Sequence, residues 1–321
     1  MSLLTYYLDI SALGQAYINH NYEQLRQNIL KGKVPLSFYL TNRNEVYGYH
    51  IHINSPLSKI YGFKVYMVDF VFSSISNLHL EEQEAIFLEL FNYLKQEINA
   101  TEGYYNFRLP THIVDVLKSF NQIFEGYYVC GGLVTYISHQ SNEILLKSEK
   151  KEKIKIVYPD QHYIAEYRND LLDIAKESFS SYQGQYHISP TLSAKAPEIY
   201  SEWLTRAFSP ADQTREDRIV VAHIENQPVG FWTYTENEYS YLTGLTAVAP
   251  KFRNFGIYKK LLIETLNSSM DKNKNLLIGT QFDNFIVQHV WGKMGLSPFV
   301  SYYNIHFNRL RDESDHIIPY G

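Results

Sequence analysis

Apolar residues in the second half of the chain follow two spacings, a spacing of two that predicts strands and a spacing of three or four that predicts helices. A β-rich run over Tyr241 to Val248 stops at Pro250, and a short basic turn follows over residues 251–256. Helical spacing then resumes at Ile257, Leu261, Leu262, Leu266 and Met270. A second β-like run, 276–282, leads to a short helix over 285–294 that closes at Gly295, which is a typical helix-capping residue.

The surrounding pattern extends this core into a sheet. Arg218 to Glu225 and Pro228 to Thr235 predict a hairpin across Asn226-Gln227, which leads into a strand over Tyr239 to Val248. An Ile154–Tyr158 strand and a helix around Leu171 precede the hairpin, and a Tyr- and Val-rich strand over Phe299 to Phe307 closes the order. The sequence therefore predicts an α/β (α+β) fold in which helices flank a mixed sheet.

The turn between the first strand and its helix has the composition of an anion site. The first N–H groups of a helix have no partner within the helix, and the helix dipole favours negative charge at that end. Arg253 adds a positive charge, and Gly256 has no side chain to keep a ligand away from the backbone. The segment predicts a phosphate or pyrophosphate site.

This order of motifs resembles motifs A and B of the GNAT acyltransferase superfamily, whose pyrophosphate loop reads Arg/Gln-x-x-Gly-x-Gly/Ala. Here the loop is Arg253-Asn254-Phe255-Gly256-Ile257-Tyr258, and Tyr258 departs from the small residue usual at the sixth position. The second signature appears as Asn284 and as the Trp291-Gly292-Lys293-Met294-Gly295 block. The resemblance implies an N-acetyltransferase that uses acetyl-CoA.

The resemblance also implies a set of cofactor contacts. Backbone groups of Thr246, Ala247 and Val248 would meet the pantetheine arm and the thioester carbonyl. The loop residues Arg253, Asn254, Phe255, Gly256, Ile257 and Tyr258 would hold the pyrophosphate, with Asn284 and Trp291 nearby. The family often places a tyrosine acid seven residues after the asparagine. Trp291 stands there and its indole N–H is no practical acid, so Tyr302, Tyr303 or water are the open alternatives for protonating the thiolate.

A second resemblance concerns the acceptor. Residues 182–190, followed by 199–203, resemble the acceptor-side loop and helix of TDP-fucosamine acetyltransferase and related sugar N-acetyltransferases. It implies His187 as the base that deprotonates the amine, and Tyr186, Tyr200 and Trp203 as substrate contacts.

The first half repeats the order strand, helix, strand, helix, strand between residues 61 and 137. Where the second half has its glycine-containing turn, the first has Ser73-Ser74-Ile75-Ser76-Asn77, without arginine or glycine. Residues 1–146 are therefore interpreted as a degenerate GNAT-like domain without a cofactor loop, with an unrelated α/β domain as the alternative. The charged run 147–153 predicts a linker, and 154–321 the GNAT acetyltransferase domain.

Composition and charge narrow the class of protein and its partners further. A single Cys130 gives no disulfide framework, the first residues lack a basic signal region, and the longest apolar stretch is too short to span a bilayer. These features predict a cytoplasmic protein. The net charge of −5 argues against a nucleic-acid partner, and His50 and His52 lack a third ligand, so no metal is expected.

The sequence thus predicts transfer of an acetyl group to a small amine, most favourably an amino sugar or nucleotide-linked amino sugar. Amino acids, polyamines or aminoglycosides are the alternative acceptors, and a CoA-binding sensor with little turnover is the alternative class. A homodimer is left open.

Overall fold

The computed structural model describes residues 38–42, 45–72, 80–111, 114–138, 153–180, 182, 184–208, 216–236 and 240–310. The predicted linker, apart from Lys153, and the 73–77 turn lie outside these residues. The chain forms two compact units. Unit 1 comprises residues 1–132, 188–191 and 300–321, and unit 2 comprises residues 133–187 and 192–299.

Unit 1 contains a mixed sheet, and two of its three described helices pack on the same face of that sheet. In chain order its elements are β1 (Phe38–Asn42), β2 (Glu45–Ile53), α1 (Ser55–Tyr61), β3 (Val65–Phe72), α2 (Leu80–Ala100), β4 (Gly103–Pro110), α3 (Val114–Ile123), the first part of β5 (Tyr127–Ile137) and most of β11 (Ser297–Arg309). Strands β1, β2, β3, β4 and β11 lie side by side in that order. Only β3 and β4 are parallel, because α2 crosses over between them.

The pairing register of unit 1 separates two faces of its sheet. Tyr49 pairs with Phe70 on β2 and β3, and Phe107 pairs with Ile305 on β4 and β11. These residues and their alternate neighbours form an aromatic core with the apolar faces of α2 and α3. Because side chains alternate along a strand, the residues between them point to the opposite face.

Unit 2 contains the other mixed sheet. Its elements are the end of β5, β6 (Lys155–Val157), α4 (Gln161–Phe179), α5 (Gln185–Ile188), α6 (Ala196–Phe208), β7 (Glu216–Ile224), β8 (Gln227–Glu236), β9 (Ser240–Val248), α7 (Ile257–Asp271), β10 (Asn275–Gln281) and α8 (Phe285–Lys293). The strand order is β5, β10, β9, β8, β7, β6. Helices α7 and α8 share one core with β8, β9 and β10.

The end of β5 and most of β11 belong to the unit built from the other half of the chain. Residues 133–137 of β5 pair with β10 in unit 2, and residues 302–309 of β11 pair with β4 in unit 1. The compact units therefore do not follow a cut at 147–153. Spacing along the sequence indicates that a segment is a strand, but it does not indicate which edge the strand pairs with.

Most predicted elements are present, with local differences. The hairpin turns at Glu225-Asn226, whose φ angles of 50° and 64° suit a tight turn, one residue before the predicted position. Residue Tyr61, expected to start a strand, ends helix α1, which is capped by Gly62 in the left-handed region. Strands β1 and β2 were not predicted from the sequence, in which His50 and His52 of β2 were noted only as candidate metal ligands.

Candidate functional site

The parallel strands β9 and β10 of unit 2 separate towards their carboxyl ends. Their pairing covers Asn275 with Ser240, Leu276 with Tyr241 and Leu277 with Leu242. Beyond these pairs, β10 continues along β5 and β9 continues along β8. Open α/β sheets bind ligands at the carboxyl ends of their strands, where neighbouring strands diverge. This gap between β9 and β10 is the candidate site.

Alternate residues of β9 turn their backbone N–H groups towards the gap. The Ala249 N–H donates to the Val229 carbonyl at 2.9 Å, which turns Ala249 and Ala247 towards β8. The N–H groups of Thr246 and Val248 therefore point away from β8, towards the gap. Of the three predicted backbone contacts, the N–H groups of Thr246 and Val248 face the gap, whereas Ala247 is turned towards β8.

A bulge in β9 lies beside an exposed tryptophan of α6. Trp232 pairs with Thr246 but Tyr234 pairs with Thr243, so Gly244 and Leu245 lie opposite Thr233 alone. The Leu245 N–H donates to Thr233 Oγ1 at 2.7 Å. A Cβ on Gly244 would lie 2.6 Å from Thr233 Oγ1 and 3.6 Å from the indole nitrogen of Trp203. Trp203, a predicted substrate contact on α6, is 41% exposed beside this bulge.

The predicted pyrophosphate loop forms the N-terminus of α7. A 3₁₀ turn over Pro250–Phe252 is followed by exposed residues Arg253, Asn254 and Phe255, with Asn254 at φ 69°. Gly256 is the N-cap residue; it adopts φ 80° and has no side chain to cap the helix that begins at Ile257. The first-turn N–H groups of α7 are therefore available to an anion, with the Arg253 charge beside them.

The two departures from the family motifs occur at side chains that contact each other. The Trp291 indole N–H donates to the Tyr258 hydroxyl at 2.8 Å. Trp291 is 1% exposed and packs its ring on Tyr136 at 5.2 Å, and burial raises the pKa of Tyr258. A large residue in the loop helix is thus accommodated by a hydrogen-bonding partner on α8. Both side chains belong to the core of unit 2 in this structure.

A tyrosine that the sequence analysis did not select reaches the end of β10. The Tyr182 hydroxyl lies beside the Gln281 and Thr280 side chains, whose contacts lower its pKa, whereas burial, the larger effect, raises it. The amide nitrogen of Asn284 donates to the same Thr280 hydroxyl at 2.9 Å, rather than capping α8. Tyr182 and Asn284 therefore converge at the carboxyl end of β10. The only signal in the sequence was the position of Tyr182 within the acceptor-loop segment.

His187 lies on α5 with its ring stacked on Tyr200 at 5.7 Å. Both ring nitrogens are buried and neither has a hydrogen-bond partner. Burial lowers the pKa of His187, so the ring is neutral at neutral pH and able to accept a proton. Tyr186 and Tyr200, predicted as substrate contacts, are 6% and 4% exposed and act mainly as support for this segment.

The two alternative acids lie in unit 1, on opposite faces of its sheet. Tyr303 packs against the aromatic core, and Tyr302 lies beneath the Arg108 guanidinium at 5.4 Å from its ring centre. The residues of the gap all belong to unit 2.

Within the ranges that the structure describes, no group of His, Cys, Asp or Glu side chains could hold a metal ion. None of the described helices has the length and apolar character needed to cross a membrane.

The element order, the diverging parallel strands and the glycine-started crossover helix define the GNAT class of fold. Helices pack on a mixed sheet in each unit, and unit 1 repeats the order strand, helix, strand, helix, strand from β3 to β5. No family model and no curated protein matches the sequence.

Solved structures agree with this class. The chain is similar to a GCN5-related N-acetyltransferase from Sphaerobacter thermophilus, with a TM-score of 0.52, 12% identity and coverage of 83% of this chain and 80% of that chain. It is similar to the same degree to a functionally unknown conserved protein from Staphylococcus epidermidis, with a TM-score of 0.52, 12% identity and coverage of 87% and 97%. At this level of identity the similarity shows the GNAT fold.

Proposed function

We propose that this protein is an acetyl-CoA-dependent N-acetyltransferase that acts on a small amine in the cytoplasm. The observation that supports it most is the gap between β9 and β10, with the uncapped N-terminus of α7 following β9. A ligand with a phosphate end and an extended polar arm would place the phosphate at the N-terminus of α7 and the arm in the gap. The residues that would hold acetyl-CoA are the Arg253–Tyr258 loop, the N–H groups of Thr246 and Val248, and Asn284. When bound, acetyl-CoA supplies an activated acetyl group.

The acceptor side favours an amino sugar, free or nucleotide-linked. Trp203 offers an exposed aromatic face beside the bulge, and aromatic faces stack on the apolar side of sugar rings. His187 is neutral and has two unused ring nitrogens, so it is the proposed acceptor of the amine proton. Amino acids, polyamines and aminoglycosides are the competing acceptors.

The decisive experiment combines binding and turnover on the full chain. Calorimetry measures CoA binding, and release of free thiol from acetyl-CoA measures transfer to a panel of amino sugars, nucleotide-linked amino sugars, amino acids and polyamines. Mass spectrometry identifies the acetylated product. Binding of CoA without transfer to any amine would favour a CoA-binding sensor, which the tryptophan at the family's tyrosine position also favours. Absence of CoA binding would overturn the proposal.

Tyr182 is the proposed proton donor to the leaving thiol. Its raised pKa keeps the phenolic proton in place at neutral pH, and the hydroxyl lies beside the Thr280 and Gln281 side chains at the end of β10. We expect Tyr182→Phe to lower kcat by about 10²-fold, near the lower end of general acid–base effects, because a CoA thiol with a pKa near about 8.5 leaves readily. In calorimetry the wild type should bind CoA more tightly than desulfo-CoA, and the variant should bind the two with equal affinity.

Tyr158→Phe provides the control for this substitution. The Tyr158 hydroxyl binds Glu264 and Ser268 at the surface of the same unit, so its loss should leave kcat unchanged. A Tyr182→Phe enzyme with the wild-type rate and pH profile would remove Tyr182 from the mechanism.

A further inference from the structure

An aromatic cluster in unit 2 surrounds the ring of Tyr200 on α6. Phe179, the last residue of α4, stacks on that ring with the two ring centres 4.5 Å apart. Tyr182 and Tyr186 meet it edge to face, at 5.9 Å and 6.2 Å between ring centres. The His187 imidazole lies parallel to it at 5.7 Å. We call this set of residues the Tyr200 cluster.

The Tyr200 side chain is fixed within the cluster. It is 4% exposed, and the close packing of protein interiors leaves a buried ring little freedom to move. A Cβ atom added at Gly184 would lie 2.6 Å from the Tyr200 hydroxyl oxygen, which is closer than an ordinary contact. The Tyr200 side chain therefore lies directly against the backbone of the segment that carries His187.

His187 has no hydrogen bond to set the direction of its ring. A histidine that transfers a proton is usually oriented by a hydrogen bond from one ring nitrogen to a carboxylate or a backbone carbonyl. Neither ring nitrogen of His187 has a hydrogen-bond partner among the described residues. The parallel contact with the fixed ring of Tyr200 is therefore what orients the imidazole.

Tyr182, the proposed proton donor, has further contacts besides Tyr200. Its ring meets Phe179 edge to face at 5.7 Å, and its hydroxyl lies beside the Gln281 and Thr280 side chains. Loss of the Tyr200 ring would take one of several contacts from Tyr182. From His187 it would take the contact that orients the imidazole.

We propose that Tyr200 is a positioning residue for acetyl transfer, whose aromatic ring holds the His187 imidazole in the direction needed to accept the amine proton. The proposal rests on the proposed N-acetyltransferase function, and it gives Tyr200 a role other than the substrate contact expected from the sequence. The contact with His187 is made by the ring of Tyr200 and not by its hydroxyl. The ring alone should therefore be sufficient for this role.

The first test compares the wild-type full chain with Tyr200→Phe, which keeps the ring, and Tyr200→Leu, which removes it. Release of free thiol from acetyl-CoA is measured with an acceptor that the wild type acetylates. We expect Tyr200→Leu to lower kcat by about 10–10²-fold, the usual scale for a displaced catalytic group, with little change in KM for acetyl-CoA. Tyr200→Phe should keep the wild-type kcat. An equal loss in both variants, or no loss in Tyr200→Leu, overturns the proposal.

Phe208→Leu is the matched control for loss of a buried ring from α6. Phe208 is 6% exposed and packs on the Arg168 guanidinium at 5.1 Å, outside the Tyr200 cluster. It should lower the thermal unfolding temperature as Tyr200→Leu does, but keep kcat. A similar loss of kcat in Phe208→Leu would assign the effect to a weakened α6 and overturn the proposal. If Tyr200→Leu does not fold, Tyr200→Met fills the space with a flexible apolar chain and takes its place in the comparison.

A double-mutant cycle with His187→Ala separates positioning from a structural role. If Tyr200 acts through His187, its ring has nothing to orient once the imidazole is gone. Tyr200→Leu should then lower kcat by less than about threefold in the His187→Ala background, because effects that act through one group do not add. Equal losses in the two backgrounds overturn the proposal, and so does a wild-type kcat in His187→Ala.

Failure of this proposal and failure of the proposed function give different results. A wild-type chain that acetylates an amine while the cycle is additive overturns the role of Tyr200 alone. A wild-type chain that binds no CoA and transfers no acetyl group overturns both.

Discussion

Gly256→Asp should abolish measurable CoA binding while the protein stays folded. The new carboxylate would stand at the N-terminus of α7, where the pyrophosphate is proposed to lie. Two like charges about 4 Å apart at an effective dielectric constant of about 20 repel by about 4 kcal/mol, which corresponds to about a thousandfold in affinity. Calorimetric titration with CoA measures the loss, and circular dichroism checks the fold.

Two variants separate charge from backbone strain. Gly256→Asn has the same shape without the charge, and asparagine tolerates positive φ, so its loss of affinity should be much smaller. Gly62, at the end of α1 in unit 1, has nearly the same backbone angles, φ 80° and ψ 7°. A Cβ atom added at Gly62 would have no other atom within 4 Å. Gly62→Asp should therefore bind CoA normally. Unchanged CoA affinity in Gly256→Asp would show that the loop does not hold the pyrophosphate.

His187→Ala should lower kcat/KM by about 10²–10⁴-fold near neutral pH, the usual contribution of a general base. The loss should shrink as pH rises towards the pKa of the acceptor amine, because the free amine then needs no base. Since burial lowers the pKa of His187 from its ordinary 6.5, the wild-type rate should decline only at pH values below 6.5. That acidic decline should be absent or altered in the variant.

The measurement is a pH–rate profile of both enzymes with one acceptor, with and without added imidazole. Imidazole should restore part of the rate of His187→Ala. His289→Ala, which removes an exposed histidine from α8 of the same unit, should match the wild type at every pH. Identical profiles for His187→Ala and wild type would refute the role and leave ordered water as the base.

The elements around the proposed cofactor loop could be predicted from sequence because their signals are local. Alternation stops at Pro250, helical spacing starts at Ile257, and Gly256 adopts the positive φ that glycine permits without strain. The hairpin turn was displaced by one residue because the Glu225-Asn226 pair takes positive φ angles without a glycine to signal it.

The departures from the GNAT motifs show what a linear motif leaves out. Tyr258 and Trp291 looked like two independent exceptions, one in the phosphate loop and one at the position of the usual acid. They are hydrogen-bonded to each other at 2.8 Å in the core of unit 2. Their compatibility depends on the distance between α7 and α8, which spacing along the chain does not contain. The same holds for Tyr182, whose position at Thr280 and Gln281 appears only when its loop is placed against β10.

The sequence by itself determined the class of fold, the repeated element order, the turn that is predicted to bind an anion and the absence of that turn's arginine and glycine in the first half. These properties follow from residue spacing and from backbone preferences of single residues. The tertiary structure alone decided that residues 133–137 of β5 and most of β11 pair in the unit built from the other half, that Trp203 and Tyr182 approach the gap, and that His187 stacks on Tyr200. Such facts depend on strand register and side-chain packing between residues far apart in the chain, and local propensity does not encode either.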